Sequence, residues 1–129
     1  MISYDDFAKV EIKVGKVLSA EKIPETDKLL KLSVDFGDIV MAPLTAPTPG
    51  VEEAPKVVRD IRQIVSGISM YFPDAQTLVG KKCMFVTNLE PRIIKGYESN
   101  GMLFAVSTAD GKFSLLEPNT DIPEGTKAK

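Results

Sequence analysis

Apolar and polar positions alternate along several stretches of this chain, and the places where the alternation fails divide it into elements. Val10, Ile12 and Val14 alternate with Glu11 and Lys13, the period of a half-buried strand. After Gly15 the apolar phase slips by one to Val17, which predicts a bulge at Gly15 where a strand bends around a barrel corner. A polar connection from Glu21 to Lys28, broken by Pro24, leads to a second strand. There Leu30, Leu32 and Val34 point inward while Lys31, Ser33 and Asp35 point outward. Ile61 to Ile68 reads as a third strand with apolar residues on both parities, which leaves the face of Arg62 open. Pro73 and Asp74 in a first turn and Gly80 just past the end predict a short helix. Cys83 to Val86 forms a fourth strand and Met102 to Val106 a fifth, and Asp110-Gly111 signals a two-residue hairpin into Phe113, Leu115 and Leu116. Ser3 with Asp6 three residues later caps an N-terminal helical turn, and Pro123-Glu124-Gly125 turns the chain a last time.

Two segments depart from this pattern. From Ile39 to Val58 the prolines at 43, 47, 49 and 55 exclude an interior strand or helix, predicting a proline-rich insertion between two strands. It serves either as a tolerated surface excursion or as a partner-binding arm. The stretch from Asn88 to Met102, punctuated by Pro91, Gly96 and Gly101, predicts a long loop between two buried strands. Its cations (Arg92, Lys95), amides (Asn88, Asn100) and hydroxyl (Ser99) are donors suited to phosphates, sugars and base edges. A plain solvated connection accounts for the same residues, and their types alone do not choose.

Five strands with a bulge and one short helix between the third and fourth predict an all-β chain, a five-stranded Greek-key barrel of the OB-fold type with a C-terminal extension. With 129 residues and 43% hydrophobic content there is room for one core, so residues 1–129 form a single domain. In such barrels ligands meet strands two and three and the loops joining strands one to two and four to five. Lys22, Lys28, Arg92 and Lys95 lie on those loops, and Lys31 lies outward on strand two. Sixteen basic and 18 acidic side chains give a net charge of -2, so any site for a polyanion is a local patch. The chain has no histidine, one cysteine in an apolar run and no phosphate-cradling glycine pattern, which points away from catalysis, a metal or a cofactor. Cys83 alone excludes an intrachain disulfide and suits a reducing, cytoplasmic setting. No apolar run approaches the roughly 18 residues of a membrane span, and no signal-peptide pattern opens the chain.

The quoted residues resemble the tRNA-binding domain family, which includes free-standing tRNA-binding proteins, methionyl-tRNA synthetase C-terminal extensions or beta chains, and cytokine-like domains of synthetase complexes. The matching pieces are Ile2 to Val10 with Val14-Gly15, Asp27 to Leu32, and Arg62 to Ile68. Further along they are Gly80-Lys81-Lys82, Asn88-Leu89, Pro91-Arg92, Lys95-Gly96, Ser99, Gly101-Met102, and Pro123, Gly125 and Lys127. The resemblance implies shape-dependent tRNA binding without catalysis, with Lys28, Lys31, Arg62, Asn88, Arg92, Lys95, Ser99 and Met102 as contact residues. Arg92 and Lys95 take phosphates, and Asn88 and Ser99 hold the loop or reach nucleotide edges. Ser99 has a second reading as a turn-former, and Met102 is either a core residue or an apolar platform under a base.

The resemblance further implies a homodimer joined through Ile2, Phe7 and the tail after Pro118, and a synthetase as a second partner. The proline-rich insertion replaces a usually short turn and would lie beside the binding face. A family pattern that begins at residue 1 favours a small protein or separate subunit. A secretion-chaperone branch that holds unfolded polypeptide is the alternative, but it departs from the Ile64-Val65-Ser66-Gly67 and Ser99-Asn100-Gly101-Met102 blocks that are intact here. Stacked single-strand binding has little support, with no Trp and only Tyr97 in the loop.

Overall fold

A computed structural model describes residues 1–41 and 56–129; the proline-rich part of the expected insertion lies outside the described residues. A helical turn α1 (Tyr4–Phe7) precedes the long strands β1 (Ile12–Lys22), β2 (Leu30–Met41) and β3 (Lys56–Ser66). Two 3-10 turns follow, Ser69–Tyr71 and Ala75–Leu78, then β4 (Lys82–Val86) and a series of short strands. These are β5 (Arg92–Ile94), β6 (Tyr97–Ser99), β7 (Met102–Leu103), β8 (Ala105–Ser107) and β9 (Phe113–Leu115). β3, β2, β1, β4 and β7 form one antiparallel sheet in that order, curled into a half-barrel; β5–β6 and β8–β9 are separate hairpins.

The alternation in β2 holds where it was clearest. Leu30, Leu32 and Val34 are buried, and with Val17, Ile64, Leu78 and Phe85 they fill the core. Phe36 and Phe85 meet edge to face, with centroids 5.2 Å apart, an arrangement aromatic quadrupoles favour. Ser3 caps α1 in a reciprocal box with Asp6, as expected.

Several expectations are corrected. The bulge in β1 is not at Gly15, which pairs regularly with Cys83; the register shifts between Val17 and Ser19, leaving Leu18 as the extra, exposed residue. Gly15 is instead required by packing. A Cβ there would come within 2.6–2.8 Å of Val34, Phe36 and Phe85. Asp35 is buried rather than outward, because the guanidinium of Arg59 meets it from β3. Ile39 to Met41 and Lys56 to Val58 belong to strands, so the insertion is shorter than expected. Its two ends are the paired residues Met41 and Lys56, at the opposite end of the ladder from Leu30 and Ser66. The fifth strand is interrupted at Phe104, whose N–H still reaches the Met84 carbonyl. The Asp110-Gly111 hairpin exists, but its connection runs from Thr108 to Lys112 rather than through two residues.

The C-terminal segment is bound along β1. Val14 donates to the Thr126 carbonyl, Gly125 to that of Val14, and Ala128 to that of Ile12. Arg59 bonds Asp35, Asp38 and Glu124 together, linking this segment to the β2–β3 ladder. Among the described residues no helix is long and apolar enough to cross a membrane.

Candidate nucleic-acid interface

The half-barrel leaves β3 and β7 at its edges, and the residues just before β7 stitch them together. Asn100 N–H donates to the Gln63 carbonyl at 2.9 Å, and Val65 N–H donates to Ser99 Oγ at 3.0 Å. The Ser99 hydroxyl in turn donates to the Gly101 carbonyl at 3.1 Å, and the residue is 4% exposed. Arg62 reinforces the seam: it donates to the carbonyls of Thr87 and Asn100, forks onto Asp60, and lies over the Phe36 ring at 5.3 Å. Asn88 fastens the end of β4 to the N-terminal segment, accepting from Glu11 N–H at 2.8 Å and donating to the Lys9 carbonyl at 2.6 Å. Thr87 donates to the Glu11 carboxylate and holds its pKa below the usual range, with help from Lys13.

On this frame stands a feature the sequence reading missed. The expected loop from Asn88 to Met102 contains a hairpin, with Arg92 opposite Ser99, Ile93 opposite Glu98 and Ile94 opposite Tyr97. Its tip is Lys95-Gly96, both at positive φ (50° and 84°), the condition for the tight primed turns of hairpins. A non-glycine residue there costs about 1–2 kcal/mol. The hairpin therefore carries a cation at its apex at some conformational expense. Only Gly96 after Lys95, between apolar Ile94 and aromatic Tyr97, marked it in the sequence.

Two clefts flank the hairpin. One, of about 380 Å³, is lined by Lys28 and Lys95 together with Ile94, Glu25 and Asp27. The other, of about 230 Å³, is lined by Arg92, Met102, Glu90, Val65 and again Ile94. Ile94 is common to both, so the clefts adjoin at the hairpin and form a rim, with Lys28 and Lys95 on one cleft and Arg92 and Met102 on the other. Lys31 joins it from β2, its ammonium 5.4 Å from the Tyr97 centroid and 3.3 Å from Glu21. Among the described residues Lys28, Arg92 and Lys95 form no ion pair.

The eight expected residues thus divide by position. Lys28, Lys31, Arg92, Lys95 and Met102 are brought together on the rim, and all but Lys31 are well exposed or half exposed there, Met102 at 45%. Arg62, Asn88 and Ser99 have their polar groups engaged within the chain and shape the rim from behind. Glu90, Glu25 and Asp27 are rim residues that a search for cations passed over. Burial pushes the Cys83 thiol up to about 12, which leaves no thiolate near neutrality. No group of three or more metal-ligating side chains occurs among the described residues.

A curled all-β half-barrel with free cations on one rim defines a binding module. The family model described as "Putative tRNA binding domain" matches residues 12–127, and the chain belongs to that family, whose role is binding rather than catalysis. It is 44% identical over 128 residues to methionine-tRNA ligase of Methanospirillum hungatei JF-1, a match covering 99% of this chain and 16% of the ligase. The chain thus spans about a sixth of the length of the synthetases it matches. Among solved structures, a MetRS-related protein from Pyrococcus horikoshii is 38% identical with a TM-score of 0.76, the match covering 100% of this chain and 98% of that one. The chaperone CsaA of Bacillus anthracis, 24% identical with a TM-score of 0.73, covers 100% of this chain and 99% of its own and shares the fold.

Proposed function

We propose that this domain holds tRNA by its backbone and shape, as an auxiliary binding module in the cytoplasm, free-standing or beside a synthetase of the methionyl type. The observation that carries this reading is the unpaired set Lys28, Arg92 and Lys95 around one hairpin of a chain whose net charge is -2. Phosphates meet these three and Lys31, the Met102 side chain covers sugar or base, and Arg62, Asn88 and Ser99 hold the rim in shape. Tyr97, half-buried beneath the Lys31 ammonium, is poorly placed for the repeated base stacking of single-strand binders. That favours recognition of backbone and shape. The exposed apolar side chains of the N-terminal turn, Ile2, Tyr4 and Phe7, support a homodimer, which would double the cationic surface.

Salt-resolved titration with tRNA tests the reading. Lys95→Ala and Arg92→Ala should each weaken binding and each flatten the slope of log affinity against log salt by about 0.7–0.9. Unchanged affinity and slope in both variants would remove tRNA from the rim. Tighter binding of an unfolded peptide than of tRNA would favour the polypeptide-holding alternative, which shares the fold with CsaA.

A further inference from the structure

The smaller cleft contains a group that a phosphate site would not choose. Glu90 stands at its wall beside Arg92, is exposed, and among the described residues makes no ion pair or side-chain hydrogen bond. A carboxylate in this position repels phosphate but accepts from N–H groups. Apolar side chains, Val65, Leu89, Ile94, Leu103 and the half-exposed Met102, line the cleft as well, together with Ser66 and Gly67. The floor is fixed by the Ser99 bonds to Val65 and Gly101. At about 230 Å³ the cleft is smaller than the roughly 300 Å³ at which pockets for drug-sized ligands begin, and suits a single planar ring system.

Resting on the tRNA reading above, we propose that this cleft takes one unpaired base, with guanine preferred. Unpaired bases are what proteins read in RNA, by stacking on apolar or guanidinium planes and by hydrogen bonds to the Watson–Crick edge. Met102 and Arg92 both line the cleft, and a thioether and a guanidinium are each polarisable groups that suit the face of a π-system. Glu90 offers two acceptor oxygens side by side. Guanine alone presents two neighbouring donors on that edge, the ring N1–H and the exocyclic amino group. Adenine and cytosine set one amino group beside an acceptor that a carboxylate repels, and uracil sets one N–H between two carbonyls. Shape recognition by the cationic rim and a one-base reading in the cleft are compatible: Lys28, Lys31 and Lys95 serve only the first and Glu90 only the second, while Arg92 and Met102 are common to both.

The test is fluorescence anisotropy with labelled uridine pentaribonucleotides carrying guanine, inosine, adenine or uracil at the centre. The wild-type protein should bind the guanine oligonucleotide about tenfold more tightly than the others, inosine losing the advantage because it lacks the amino group. Glu90→Gln should erase the preference and leave the salt slope intact; Met102→Ala should weaken all three purine oligonucleotides. Equal affinity for all four oligonucleotides, or a preference that survives Glu90→Gln with an unchanged melting midpoint, overturns the proposal. Lys95→Ala separates the two levels. If tRNA binding depends on Lys95 while the oligonucleotides bind alike, only the base reading falls; if tRNA binding ignores Lys95 and Arg92, the rim reading falls.

Discussion

Replacing Ser99 by alanine separates a structural role at the seam from a contact with RNA. The hydroxyl is 4% exposed, accepts from Val65 N–H and donates to the Gly101 carbonyl. Its removal leaves one buried backbone donor without a partner, at a cost of about 1–3 kcal/mol, while the carbonyl loses a smaller net bond. For a chain of 129 residues, an unfolding entropy of roughly 2.1 cal/mol/K per residue makes 1 kcal/mol worth about 4 °C. Ser99→Ala should therefore lower the melting midpoint by about 4–11 °C in calorimetry, and lower the urea midpoint without a change in m. Measured well below both midpoints, its tRNA affinity should stay within about twofold of wild type and its salt slope should be unchanged, since no phosphate contact is lost. A variant as stable as wild type that bound tRNA tenfold more weakly would refute the reasoning and return Ser99 to the contact surface.

Three further outcomes follow from the packing and charge described above. Gly15→Ala should destabilise by about 1–3 kcal/mol or more in urea unfolding, because its methyl meets three core side chains at under 3 Å rather than open space. Acid should weaken the fold through Glu11, Asp121 and Glu124. The bond from Thr87 lowers the first pKa, Lys82 the second, and a backbone bond and Arg59 the third. Groups whose pKa is depressed on folding stabilise fully above their unfolded values, here 3.8 for the aspartate and 4.5 for the glutamates, and lose that contribution as pH falls through the folded values. Stability by denaturant titration should thus hold from pH 7 to 5 and drop below about pH 4.5, less so in Thr87→Val. Cys83 should resist a thiol reagent at pH 8 until the protein is unfolded, since its sulfur is buried and protonated.

Local pattern made some of this visible and long-range contact hid the rest. Leu30, Leu32 and Val34 could be read directly because a period-2 strand with one buried face has only one register that keeps them inside. Asp35 could not, because what takes it inside is Arg59, 24 positions away on another strand. The break in apolar phase at Gly15 suggests a bulge, but what requires glycine there lies in β2 and β4, which converge on it. The hairpin inside the 88–102 stretch escaped because lysine is an unusual occupant of a positive-φ turn position, so Lys95-Gly96 lacks the usual Asn-Gly signature. Of the candidate site, the exposed cations were legible as residue types. Which polar groups were already engaged was not, since Asn88 finds its partners at Lys9 and Glu11 and Arg62 at Thr87 and Asn100.

The β2–β3 ladder puts the root of the proline-rich excursion, at Met41 and Lys56, eleven residues along β2 from Leu30, beside which the cationic hairpin rises. At roughly 3.3 Å per residue that is on the order of 35 Å of strand. The two termini of one ladder are consequently open to separate evolution: the distal end can lengthen, shorten or acquire a new attachment while the proximal end keeps the rim proposed to grip RNA. A reporter spliced between residues 41 and 56 would make a natural handle for watching that grip.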